Sequence, residues 1–199
     1  MANPTQRQGP LDHLGLAARA QTGDENGVHL TVLPVPQIIE LRGIWSDAFA
    51  SAVHQVLGVN IPSESPGTAK SDALIVFWMG PDRWWLVGDD AALPSVNELR
   101  QKLAAFNAAA VEVGDAFAAV EVAGPKSRDV LTKGCTIDLH PRAFKTGSVV
   151  QTNLAKAQIA LYQIDETTYR IFARRSFAEY LWTWLEDAGM EYGVSIETV

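Results

Sequence analysis

The chain repeats one structural phrase at a fixed interval. Glu40-Leu41-Arg42-Gly43 closes an apolar run and leads into a helical pattern, and Glu121-Val122-Ala123-Gly124 does the same 81 residues later. At the same offset, Ser95-Val96-Asn97-Glu98 and Ser176-Phe177-Ala178-Glu179 each open a further helix. In both, a serine able to accept a backbone N–H stands three residues before a glutamate able to reach back, the pattern of a capping box. A frame stated twice restricts the chain to folds made of two similar units.

The pattern between these landmarks predicts the elements. Val28 to Leu33 alternates and Ile38 to Leu41 is apolar, so both read as strands, separated by Pro34 and Pro36. Ala48, Phe49, Ala52, Val53, Val56 and Leu57 recur at helical period behind a Ser46 or Asp47 cap, with Gly58 as the stop. Ile61 to Asp72 reads as a loop, and Ala73 to Met79 as a strand covered on both faces. Gly80-Pro81-Asp82 turns the chain into a strand from Trp84 to Val87. The helix capped by Ser95 presents Val96, Leu99, Leu103 and Phe106 as its buried stripe.

The second half repeats this order. A strand from Phe117 to Val122 meets a helix started by Gly124-Pro125 and stopped at Gly134. An irregular stretch follows from Cys135 to Gly147. Gln158 to Ile164 and Thr168 to Ala173 form a hairpin. The last helix has Phe177, Tyr180, Leu181, Trp184, Leu185 and Ala188 on one stripe and Gly189 at its end. A strand around Val111 to Val113 joins the halves. The reading is α+β: duplicated strand–helix–strand–strand–helix units with antiparallel sheets and helices on one face. An N-terminal extension (1–26), a first half (27–109) and a second half (110–199) form one compact unit.

Composition excludes several functions. A net charge of -7 disfavours nucleic acid, whose phosphates need a basic surface. No apolar run reaches the roughly 20 residues of a membrane span. The polar start Met1 to Pro10 lacks the basic and apolar regions of a secretory signal. Cys135 is the one cysteine, so no internal disulfide forms, and a reducing cytoplasm is the expected compartment.

Catalytic groups are sparse. His13, His29, His54 and His140 have no metal-ligand spacing, and His54 falls opposite the apolar stripe of its helix. Cys135 has no basic neighbour to stabilise a thiolate and reads as a structural thiol. There is no G-x-S-x-G elbow and no glycine-rich phosphate loop. Pro125-Lys126-Ser127 and Asp82-Arg83 suit an anion or ligand contact, but each reads more simply as a helix start and a turn. What remains is a surface for docking. Arg170, Arg174 and Arg175 form a basic cluster, and the six tryptophans exceed what a core of this size requires. Arginine and tryptophan both anchor interfaces, so Arg170, Arg174, Arg175, Trp84 and Trp182 are the candidate subunit interface. No residue is a candidate for catalysis, cofactor binding or metal binding.

Five segments occur in a telling order: Leu41-Arg42-Gly43; Gly80-Pro81-Asp82-Arg83-Trp84; Gly124-Pro125; Gly134 to Arg142; and Arg175 to Trp182. Together they resemble the gamma subunit family of heterotetrameric sarcosine oxidase, from about Leu11 to Ala188. The resemblance implies a small subunit of a cytoplasmic flavoenzyme whose partners are the alpha, beta and delta chains. That enzyme demethylates sarcosine oxidatively to glycine, releases hydrogen peroxide and passes the one-carbon unit to tetrahydrofolate. The resemblance places FAD, FMN and NAD in the large chains and zinc in delta, with no cofactor in gamma. It also implies a fold similar to the folate-binding domain of aminomethyltransferases. Glu112, Asp115 and Glu121 fall in the region of the acidic folate contacts there, though no motif assigns the role to any of them. The expectation is a non-catalytic assembly subunit whose ancestral folate pocket is filled by tryptophans. The alternatives are a stand-alone folate-binding or one-carbon transferase-like protein, and a subunit of a related N-methyl amino-acid dehydrogenase.

Overall fold

The Trp84-Trp85 pair explains the architecture. Successive residues of a strand point to opposite faces, and both of these rings are buried, at 0% and 5% exposure. The sheet that carries them is therefore covered on both sides. In a computed structural model describing residues 9–20, 25–71, 74–88 and 93–198, Trp84 faces helices and Trp85 faces a second sheet. The expected polar start falls outside the described residues as far as Gln8, as do part of the N-terminal extension (21–24) and Ala73.

The elements run α1 (Leu16–Arg19), β1 (Val28–Val32), β2 (Ile38–Arg42), α2 (Asp47–Leu57), β3 (Thr68–Lys70), β4 (Leu74–Gly80), β5 (Arg83–Gly88), α3 (Val96–Lys102) and β6 (Ala109–Glu112). They continue with β7 (Phe117–Ala123), α4 (Ser127–Thr132), β8 (Val149–Leu154), β9 (Ala157–Gln163), β10 (Tyr169–Arg174), α5 (Ala178–Gly189) and β11 (Val194–Thr198). One sheet has the order β11-β1-β7-β10-β9-β8 and the other β3-β4-β5-β2-β6. All pairs are antiparallel except β1 with β11. The inner faces meet: Ile38, Phe77, Met79 and Trp85 pack on Phe117, Ala119, Tyr162 and Phe172. Helices cover only the outer faces. Phe49, Val53 and Leu99 sit over Leu41, Val76, Trp84 and Leu86, while Val130, Leu131, Leu181, Trp182 and Leu185 sit over Val28, Val120 and Ile171. The fold is the expected α+β arrangement, with its two sheets back to back.

Two strands cross between the halves. β1 leads into β2 but pairs with β7, and β6 leads into β7 but pairs with β2. The boundary at residue 109 thus divides the sequence without dividing the sheets.

Local signals held where hydrogen bonds could enforce them. Ser46 Oγ accepts from the Phe49 N–H at 3.1 Å, and Ser95 Oγ from the Glu98 N–H at 3.1 Å. Gly58 closes α2 at φ 71°, in the left-handed region open to glycine. Four details differ. The stretch 61–72 contains β3, which pairs with β4 from Thr68 to Lys70. β8 and β11 were unforeseen, because both are short and mixed in polarity. Pro125 lies before the helix, whose N-cap is Lys126. Ser176 caps nothing: it lies in a 3-10 turn, Arg175–Phe177, and Phe177 holds the N-cap position of α5 without a side-chain hydrogen bond.

α5 keeps Leu181, Leu185 and Ala188 of the expected stripe. Its buried stripe is Ala178, Leu181, Trp182, Leu185, Ala188 and Gly189, leaving Phe177 40% and Tyr180 37% exposed. Gly189 ends α5 as expected, and a 3-10 turn, Met190–Tyr192, follows it. The glycine is helical at φ -83°, and a Cβ there would meet Val28 and Val194 at 2.8 Å, so glycine is needed for close packing.

Candidate functional site

At one end of the inter-sheet layer the two sheets part into a cleft of about 690 Å³. Its floor is apolar: Trp85, Phe117 and Phe172, with the Trp85 and Phe117 rings edge to face at 4.6 Å between centroids. Its walls carry charge. Glu40 on β2 accepts at Oε2 from Trp85 Nε1 at 3.2 Å. Arg83, at the start of β5, donates from Nη2 to the Met79 carbonyl and to Gln151 Oε1, both at 3.1 Å. Gln151 Nε2 donates in turn to the same carbonyl at 2.7 Å. This network ties the β4–β5 turn of one sheet to β8 of the other, so the position of the arginine is held from both sides. Arg174 lies with its guanidinium carbon 4.7 Å from the Phe117 ring centre, a cation–π distance.

The chemistry on offer is recognition. Two guanidiniums, one carboxylate and several amides surround an aromatic floor, and the lining includes neither histidine nor cysteine. Cys135 is half-buried against the core of α4 and α5. Among the described residues, no group of three His, Cys, Asp or Glu side chains could hold a metal ion. No described helix is long and apolar enough to cross a membrane.

The predicted interface residues scatter. Trp84 and Trp182 are both 0% exposed, each in a different outer core, so neither belongs to a surface of this chain. Their burial also leaves the cleft open: of the three tryptophans 84, 85 and 182, only Trp85 lines it. The expectation of a pocket filled by tryptophans fails on this geometry. Arg170 and Arg174 share the inner face of β10, but Phe172 separates them along it. Arg170 lines a second cleft at the far end of the layer and pairs with Glu121. Arg174 lines the large cleft, and Arg175 is exposed in the turn that follows. Glu112 and Asp115 are exposed outside the cleft lining. His54 is exposed on α2, as its position on the helix implied.

Glu40, Gln151 and Gln158 were missed, while Arg83, weighed as a ligand contact, does line the cleft. Glu40 carried a signal, being an acidic residue inside an apolar strand with both faces covered. Arg83 was assigned to its turn. The anion site considered at Pro125-Lys126-Ser127 is occupied internally, since Ser127 Oγ donates to the Thr167 carbonyl at 2.7 Å and Lys126 pairs with Asp129 at 3.1 Å.

Back-to-back sheets with helices on their outer faces are a fold shared with an aminomethyltransferase. The structure of glycine cleavage system aminomethyltransferase T from Bartonella henselae superposes with a TM-score of 0.64, over 96% of this chain and 58% of that one, at 16% identity. That likeness shows the fold alone. The sarcosine oxidase, gamma subunit family matches residues 42–191, and the chain belongs to this family. The sarcosine oxidase subunit gamma of Corynebacterium sp. (strain U-96) is 29% identical over 201 residues, covering 98% of this chain and 96% of its own. A chain of the heterotetrameric sarcosine oxidase from Corynebacterium sp. U-96, solved in complex with pyrrole 2-carboxylate, superposes with a TM-score of 0.83 at 27% identity. That match covers 94% of this chain and 96% of the other.

Proposed function

We propose that this chain is the gamma subunit of a heterotetrameric sarcosine oxidase, assembling with alpha, beta and delta chains in the cytoplasm. One observation carries the reading: the correspondence with a chain of such an enzyme is end to end, leaving little of either chain unmatched. The aminomethyltransferase match, by contrast, covers 58% of the other chain. In this reading the gamma chain contributes binding surface and no reacting group. FAD, FMN, NAD and zinc sit in the other subunits, and the complex oxidises sarcosine to glycine, with hydrogen peroxide and one-carbon transfer to tetrahydrofolate. Co-expression of the four chains followed by native mass spectrometry tests it. A stable heterotetramer active on sarcosine is expected, and a gamma chain that never enters the complex would sink the idea.

A second reading is favoured by the open cleft: a folate-binding protein acting by itself. Calorimetry of the lone chain with tetrahydrofolate separates the two. Micromolar binding supports the second reading, and no heat leaves the first.

A further inference from the structure

The mouth of the cleft opens onto an exposed strip of a different character from the rest of this acidic chain. Arg174 leaves the cleft and is followed by Arg175, both exposed, in the turn that starts α5. Phe177 and Tyr180 come next, 40% and 37% exposed, their rings edge to face at 6.4 Å. Tyr180 Oη accepts from the backbone N–H of Lys156 at 3.3 Å, which joins the β8–β9 turn to the strip. Gln158, two residues on, returns to the cleft lining. Arg83 and Arg174 thus line the cleft, and Arg175 and Lys156 belong to the segments that carry or touch the two exposed rings, on a molecule of net charge -7. Glu40 stays on the cleft wall as an acceptor from Trp85, Glu179 pairs with His13 at 3.1 Å, and Arg175 has an interaction of its own, so Arg83 and Arg174 are the cations that an incoming carboxylate meets in the cleft.

Exposed rings flanked by arginine mark docking surfaces, and a cationic patch on an acidic protein selects an acidic partner. A small ligand would fill the cleft and leave Phe177 and Tyr180 in water, whereas a chain segment would cover both. Building on the subunit reading above, we propose that this strip and the cleft mouth dock an acidic polypeptide segment of a partner subunit, with one carboxylate side chain entering the cleft lined by Arg83 and Arg174.

The test uses the four-chain complex. Paired Arg174→Glu and Arg175→Glu changes should lower retention of this chain at least about tenfold, a difference of about 1.4 kcal/mol, with the wild-type contact weakening as salt rises. Arg174→Lys should retain most of it, and Lys102→Glu, exposed on α3, should leave it unchanged. Far-UV circular dichroism of each lone variant checks folding. Hydrogen exchange should slow at 151–158 and 174–180 on assembly. Wild-type retention by the paired variant, or protection confined elsewhere, such as at the exposed Ile44 and Trp45, overturns this proposal alone. So does tetrahydrofolate occupying the cleft of the assembled complex. Failure of the wild-type chain to assemble removes the subunit reading and this one with it.

Discussion

Arg170 donates from Nη2 to Glu121 Oε2 at 2.8 Å, and the two residues stand directly opposite each other in the register joining β7 to β10. Both side chains are partly buried, and Arg170 Nε is buried without an acceptor. Removing the carboxylate charge would leave a guanidinium short of its counterion. Glu121→Gln should therefore destabilise the chain by about 1–3 kcal/mol in urea unfolding. The Glu121→Leu, Arg170→Met double variant should lose less than the sum of its single changes. Additive losses would show that the pair is not coupled.

Gly189→Ala sets propensity against packing. Alanine in a helix gains about 1 kcal/mol over glycine, but its Cβ would lie 2.8 Å from Val28 and Val194 side-chain atoms. Overpacking costs about 1–3 kcal/mol. The steric cost is expected to win, lowering Tm and loosening the β1–β11 contact; a raised Tm would refute the packing account.

Trp182→Ala should cost about 3–5 kcal/mol, the usual loss for a fully buried large aromatic. The loss should be present in the lone chain, because Trp182 is 0% exposed there. Thermal unfolding of the isolated subunit decides it. A variant stable alone but defective in assembly would return Trp182 to an interface.

Lys133 pairs with Glu191 and lies 4.6 Å from the centre of the Tyr192 ring. The hydrogen bond between them raises the lysine pKa and lowers the glutamate pKa. A lowered carboxylate value contributes stability present above the unfolded value, about 4.3, and lost as pH falls through the folded one. A raised lysine value contributes stability present below about 10.4 and lost as pH rises through its folded value. Both groups are exposed, so the effect is small and screened by salt. Lys133→Met should flatten the pH dependence of Tm at both ends, measured at low ionic strength.

Much of the frame was legible because its signals are local. The Ser46 and Ser95 caps, the Gly58 stop and the two-sided burial of β4 follow from spacing and side-chain chemistry. The failures share another cause. The strand character of β11 depends on a distant partner, β1 near the opposite end of the chain, whereas β8 pairs with β9 directly after it and was hidden by its own mixed polarity. The α5 stripe held at Leu181, Leu185 and Ala188 but was centred to one side, since spacing within a helix does not tell which flank, Tyr180 or Trp182, faces the sheet. Trp84 and Trp182 were misplaced because an excess of rings does not distinguish a core beneath helices from a surface. The cleft is assembled from both halves, and Glu40, Arg83, Gln151 and Arg174 share no sequence spacing that announces it.

The crossed leading strands impose a schedule on synthesis. β1 emerges first, yet its hydrogen-bonding partners are β7 and β11, the last of the described strands. A ribosome must therefore deliver β11 before the larger sheet can close, and pairing over such distances is slow. Until then the strand edges are open to other chains. The larger sheet is thus completed only after every described helix that covers it has emerged.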